Sequence, residues 1–430
     1  MKMNKKGLFR HILRIAALMI VSSLIGIGLL MLSLSLPGHW RLVKTQMRSI
    51  ETFNCEGLYP IVFRPYTATR GDTFTDGIMM GSVLYDGGES PLEKAVKIYR
   101  YSYTEVESNN VAEILMGYNQ KEAATLSYGR YWHGYLSFLR PLCMLFSYDD
   151  LRMLGCVIQG GLIIWIALEL HRRRKTSVVP FFLCVISVTP MVTVSSLQYM
   201  HVYILGLLAM LTVLKAGKWI DRRKLWPEFF ALIGILTSYI DLLTFPLVAF
   251  ALPLMACFIS DNEKLRFRFF LIMAISWAAG YGLFWAMKWV ISWLAGYGEE
   301  LGSALDSVAR RSGRPEQGAA NRLQAIVLNL RVFHRPGYIA AFLVGAGVIL
   351  AQCFQTRRTF SAQRMLPLLM LSAVPFVWYF ILADHSNDHS FYTFRELAVT
   401  VFALAAIPSL TVREDQEKQT TPRDPLKSSS

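Results

Sequence analysis

Apolar and polar residues alternate along the chain in long blocks: greasy runs joined by short charged connectors. The first run extends from Ile15 to Leu36. Others fall near 150–170, 177–194, 199–217, 227–242, 244–259, 268–294, 337–354, 365–383 and 393–411. About 20 apolar residues in a helix cross the hydrocarbon core of a bilayer, so the pattern predicts an all-α polytopic bundle of about ten transmembrane helices. Two polar stretches interrupt it, 37–149 and roughly 295–337. Within the first, the segment GYLSFLRPLCMLFSY (134–148) is apolar but short and is broken by Arg140 and Pro141. It is expected to lie at the membrane interface or to dip into it.

Composition agrees with that reading. The 430 residues are 53% apolar, too greasy for a soluble protein of this length. A net charge of +14 raises the question of nucleic acid, but the cations sit in clusters at the ends of apolar runs, as the positive-inside rule places them. No nucleic-acid partner is expected; membrane lipids are. The clusters are Lys2, Lys5, Lys6, Arg10 and Arg14, then HRRRK (171–175), KAGKWIDRRK (215–224), DNEKLRFR (261–268) and QTRR (355–358). All fall on one side if every run crosses. That makes both termini cytoplasmic, the chain multi-pass in the cell membrane, and the two polar stretches extracytoplasmic.

The chain then divides into a cytoplasmic segment with the first transmembrane helix (1–36), a first outer loop containing interfacial helices (37–149), a bundle carrying the second outer loop (150–411) and a disordered cytoplasmic tail (412–430). The first run is longer than a secretory signal core and the triplet Ser33-Leu34-Ser35 is a poor cleavage site, so it reads as a retained anchor. Six cysteines show neither CxxC nor metal-like spacing, and no internal repeat stands out.

Candidate chemistry gathers on the outer side. In GDTFTDGIMM (71–80), Asp72 and Asp76 share one face if the segment is helical, although Asp76 or Thr75 can equally cap a helix there and Asp72 can be solvated. YGRYWHGYL (128–136) supplies Arg130 and His133, with Arg140 beyond. If the segment is more than an aromatic belt, they would place positive charge on one side of an interfacial helix, suited to a lipid-linked phosphate. His201 opens one spanning run. Asp241 lies near the outer end of another, as an ionisable group at membrane depth or as a cap for a helix beginning at Leu242. ADHSNDHSFYTFRE (383–396) contains Asp384, His385, Asp388, His389 and Arg395; the histidine pair is a weak candidate for a divalent metal, with a solvated turn as the alternative. Lys288 is nearly alone at depth.

A first span, a long outer loop opening on acids, interfacial helices within it and many later spans resemble the GT-C class of integral-membrane glycosyltransferases. The strings TDGIMM, YGRYWHGYLSFLRPL, SYIDLLTFPL and HSFYTFR further resemble polytopic membrane proteins of Gram-positive bacteria associated with that class. The resemblance implies a polyprenyl-phosphate sugar donor, an extracytoplasmic polymer or lipid acceptor and a loop aspartate as general base. Asp76, bordering apolar GIMM, is the first choice and Asp72 the second. Substrate-binding roles fall to Arg130, His133, Arg140, His201, Asp241 and Arg395. The chain departs from the class in lacking an Asp-Glu or Glu-Asp pair in the first loop. This leaves open any need for a divalent cation. A transporter or flippase of a lipid-linked saccharide is the alternative, and it would need ionisable residues running through the bundle.

Overall fold

A computed structural model describes residues 5–102, 111–116, 124–312, 318–354 and 359–413. The connector 355–358 and nearly all of the expected tail lie outside them. The described residues are all-α apart from two short antiparallel pairs, β1 (Tyr99–Ser102) with β2 (Ala124–Ser127) and β3 (Thr359–Phe360) with β4 (Val412–Arg413). The principal helices are α1 (Lys5–Leu34), α2 (Thr73–Val83), α3 (Leu136–Cys143), α4 (Tyr148–Arg174), α5 (Val178–Val188), α6 (Leu197–Arg223) and α7 (Trp226–Ile240). They continue as α8 (Leu247–Ser260), α9 (Phe267–Leu294), α10 (Glu299–Arg311), α11 (Gly318–Arg331), α12 (Pro336–Phe354), α13 (Ala362–Ile381) and α14 (Leu397–Leu410).

All ten apolar runs are helical, but among the described residues 7 helices are long and apolar enough to cross a membrane by themselves. The difference has two sources. One continuous helical stretch, Tyr148–Val188, contains two of the predicted spans. α7 and α8 have 15 and 14 residues, about 22 Å of helix, short of a hydrocarbon core. Such shortness is tolerated where protein rather than lipid surrounds the backbone. α8 meets that condition, since every residue from Leu247 to Ile259 is buried. α1, in contrast, exposes Leu24 and Leu32 along its length and lies on the perimeter.

α7 and α9 pack backbone to backbone. A Cβ on Gly234 would overlap the Trp277 carbonyl, and one on Gly280 the Ala231 carbonyl, so small residues set the spacing, as in membrane helix pairs generally.

The first long polar stretch is folded. α2, the short helix Pro91–Lys97, the β1–β2 pair and α3 share one core, with Met80, Val83, Ala95, Trp132 and Leu136 fully buried, and it is continuous with α1, α6, α7 and α9. Gly134 donates its N–H to the Tyr239 carbonyl at 2.7 Å, and a Cβ there would enter the Tyr239 ring. α3 is an amphipathic helix that buries Leu136, Leu139, Arg140 and Cys143 while Phe138 stays exposed. The second stretch reaches the first: Lys97 pairs with Glu299 at 3.0 Å, and Ser127 donates to Glu300. Both long connections thus meet over one end of the bundle, called here the loop end.

Candidate functional site

Asp72 and Asp76 bracket the first turn of α2, and the fold treats them differently. Asp72 is its N-cap, accepting from the Thr75 N–H at 3.0 Å and the Thr75 hydroxyl at 2.9 Å. Each carboxylate oxygen therefore carries one hydrogen bond and can accept another. Burial raises the carboxyl to about 6 against the pull of the Thr75 hydrogen bonds.

Asp76 has nothing left to give. Its Oδ1 accepts from Ser196 Oγ (3.1 Å) and Gln198 N (3.0 Å), and its Oδ2 from Leu197 N (2.8 Å) and Tyr148 Oη (2.7 Å). Two of these donors are the first N–H groups of α6, which a carboxylate at a helix N-terminus satisfies. Fully buried, it joins α2 to α4 and α6. Burial pushes its carboxyl up, and the hydrogen bonds oppose that. With its acceptor positions filled, Asp76 is a poor general base, and the preference for it over Asp72 is corrected on that ground.

Several expected ligands also prove structural. The predicted cationic array on one face of an interfacial helix does not form. Arg130 and His133 precede α3, and Arg140 turns inward to donate to the Val83 carbonyl and, at 3.0 Å, to that of Tyr85, closing the C-terminus of α2. His133, with φ 51°, is held by the Tyr135 hydroxyl at 2.7 Å and the Tyr128 carbonyl at 2.9 Å. Burial lowers its pKa to about 3, so it is a neutral ring in a strained turn. His201 stacks on Tyr135 and meets the edge of Phe138. Asp241 ends α7 and accepts from the N–H groups of Leu243 and Thr244 at 3.1 and 3.0 Å; it shapes the turn, while α8 begins only at Leu247. Lys288 donates to the Ala95 carbonyl at 2.6 Å and faces the Trp132 ring.

Arg395 is fully buried and donates to the carbonyls of Val188 (2.9 Å), Phe391 (3.2 Å) and Ala68 (3.2 Å), with its guanidinium against the Tyr199 ring. It seals the C-terminus of α5, where Thr189 turns to φ 59° before Pro190, and binds the first loop to the bundle.

From Asp72 and its neighbour Arg70 a row of aromatic and basic groups runs through Tyr392 to Arg311, Tyr131 and Arg130, much of which the sequence did not single out. Arg70 lies between the rings of Tyr59 and Phe391, 4.4 and 4.3 Å from their centroids. Tyr392 packs 5.7 Å from Tyr199 and stacks 5.1 Å from His389, within electrostatic range of both Asp72 and Arg311. Arg311, the last residue of α10, sits 5.2 Å over Tyr131, with one terminal nitrogen buried and unpartnered. Arg130 covers Tyr128 at 4.4 Å, and its Nε is also buried without a partner. Tyr131 and Tyr199 hydroxyls and His385 Nδ1 are in the same condition. Among the described residues, Arg130 and Arg311 pair with no carboxylate, and Arg70 lies within electrostatic reach of Asp72 without closing an ion pair. These buried polar atoms leave donor and acceptor capacity that the protein's own groups do not fill.

The metal candidates do not assemble. His385 spends Nε2 on the Leu243 carbonyl at 2.8 Å, Asp384 is engaged by Asn321, and His389 lies flat on Tyr392. Among the described residues no group of three ligating side chains forms.

An apolar groove of about 300 Å³ runs between α3, α4 and α6, lined by Leu142, Leu154, Ile158, Leu197, Ile204 and Leu208. Its wall at Leu197 is the residue whose N–H holds Asp76. No protein-family profile, curated protein or solved structure matches the chain.

Proposed function

We propose that the protein is a GT-C-like membrane glycosyltransferase that moves a sugar from a polyprenyl-phosphate donor to an extracytoplasmic acceptor, with Asp72 as general base. In this reading the chain makes about ten crossings, the short α7 and α8 among them, with both termini cytoplasmic and the loop end outside. The carrying observation is the open acceptor capacity of Asp72 within a layer of unpaired arginines and unpartnered tyrosines.

The chemistry follows from those groups. Asp72 takes the proton of an acceptor hydroxyl as that oxygen attacks the anomeric carbon, and the donor phosphate leaves from the opposite face, which inverts the centre. Arg311, with Arg130 or Arg70, balances the charge accumulating on the departing phosphate. The buried Arg395, bonded to the Ala68 carbonyl, positions the loop that carries Asp72, and the apolar groove suits the first isoprene units of the donor. The loop end folded over the layer limits access of water, which would otherwise hydrolyse the donor.

Reconstitution with a panel of labelled polyprenyl-phosphate monosaccharides tests this. Transfer by the native chain and its loss in Asp72→Asn, with unchanged folding, is the expected result. Full activity in that variant would remove Asp72 as base. Movement of the lipid across the bilayer without any transfer would favour a flippase. Lys288, tied to Ala95 and Trp132, offers little for such a path.

A further inference from the structure

The opposite, basic end of the bundle contains a larger cavity, about 950 Å³. Three separate stretches build it: the start of α1, the α6–α7 turn and the α8–α9 turn. Basic residues at this end are expected from topology alone; their pairing is what sets this cavity apart. Its carboxylates are occupied. Asp221 accepts from Trp226 Nε1 at 2.8 Å and lies 3.5 Å from Lys264; Asp261 takes Lys264 at 2.7 Å; Glu263 takes Arg266. Behind them Glu228 holds His11 at 2.7 Å and Arg14 at 3.4 Å. Lys6, Arg10, Arg223, Lys224 and Arg268 also line the cavity, and none has a carboxylate partner among the described residues. Five cations from three chain segments thus face one concave volume with no acid left to match them.

We propose that this cavity binds a phosphate-bearing anion. Convergent Arg and Lys donors suit phosphate oxygens, and a concave basic wall concentrates the field on them. Two sources share this chemistry, the headgroup of an anionic phospholipid and a soluble phosphate compound. The surroundings point to the headgroup. Leu8, Phe9, Ile12 and Leu13 of α1 and Phe267 of α9 are exposed beside the basic lining, so acyl chains can pack where the phosphate is held, as in other basic pockets at membrane surfaces. The inference is independent of the transfer reading and concerns the other end of the molecule.

The test uses the full chain, purified in detergent, and the triple variant Arg10→Glu/Arg223→Glu/Lys224→Glu, whose residues are exposed and whose replacement leaves the core intact. Native mass spectrometry after exposure to mixed vesicles of phosphatidylglycerol and phosphatidylcholine reads the first source. Thermal stabilisation by inorganic phosphate, against chloride at equal ionic strength, reads the second. We expect phosphatidylglycerol adducts to outnumber phosphatidylcholine adducts about tenfold in the native chain and to fall to parity in the triple variant. Arg10→Lys/Arg223→Lys should keep most of the preference. Stabilisation by phosphate without lipid preference, lost in the triple variant, would keep the site and assign it to a soluble ligand. No charge-dependent binding in either arm, or binding that the triple variant retains in full, would overturn the proposal.

Discussion

The surroundings of Asp76 and of Asp72 differ more than their separation of one helical turn suggests. Around Asp76 every lone pair is taken by a donor from a distant part of the chain, the nearest of them 72 positions away. Around Asp72 both hydrogen bonds come from Thr75 alone, and the neighbouring cations and hydroxyls are short of partners. A saturated carboxylate holds a fold together, whereas an unsaturated one beside unpaired cations is available to a ligand. The lesson is that burial does not separate structural from functional acids; the state of their partners does.

The sharpest way to break this comparison is to remove each charge. Asp72→Asn keeps a capping oxygen for Thr75 and removes the base, so transfer should fall about 10²–10⁴-fold while the protein still extracts and is at least as stable as the native chain; turnover in proteoliposomes is the readout. Asp76→Asn should do the reverse. Whichever oxygen the amide nitrogen replaces, it points a donor at one backbone N–H and one hydroxyl, Gln198 N with Ser196 Oγ or Leu197 N with Tyr148 Oη, and the cost of breaking a buried charge-assisted set is about 3–5 kcal/mol. Loss of the folded protein, followed by thermal unfolding in detergent, is expected. A stable Asp76→Asn with no transfer would reverse the assignment of the two acids. Third in size is Arg311→Ala, which should lower kcat/KM about 10–100-fold, the worth of one charge-assisted contact of about 1.5–3 kcal/mol. Arg311→Lys should recover part of that, and a variant indistinguishable from the native chain would take Arg311 out of the site.

How far the sequence reaches can be judged from the same residues. The ten apolar runs are helical because runs of that length have no better way to satisfy their backbone in lipid. Their lengths were less legible, since α8 is short only because its neighbours enclose it. The cap is Asp72, buried, and not Asp76 or Thr75 with Asp72 in solvent as expected; its bond to Thr75 is local, so that much lay within reach of the sequence. The filling of Asp76 did not: its partners Ser196, Leu197 and Gln198 are set by tertiary packing that spacing cannot convey. Arg311 belongs to an arginine pair at a helix end, which reads in sequence as a solvated terminus. Arg140 and Arg395, expected to meet substrate, instead meet backbone carbonyls, a use of arginine that leaves no trace in residue spacing.

The smallest expected effect concerns pH and tests whether Asp72 is held for function at a cost to the fold. Burial raises its carboxyl from 3.8 to about 6 in the folded protein, so between those values the native state binds a proton that the unfolded state has released. By linkage the protonated form's contribution to stability is complete below pH 3.8 and is lost as pH rises through about 6. The span corresponds to at most about 3 kcal/mol at 1.36 kcal/mol per unit. Asn cannot ionise and escapes this loss. Asp72→Asn should therefore match the native chain near pH 4 and be more stable than it by up to about 3 kcal/mol above pH 7, the difference growing as pH rises through about 6. Transfer by the native chain should rise over the same interval, with a midpoint near pH 6, as the base ionises. If Asp72→Asn is less stable at pH 8 than at pH 5 relative to the native chain, the carboxylate stabilises the fold, and the contrast with Asp76 is lost.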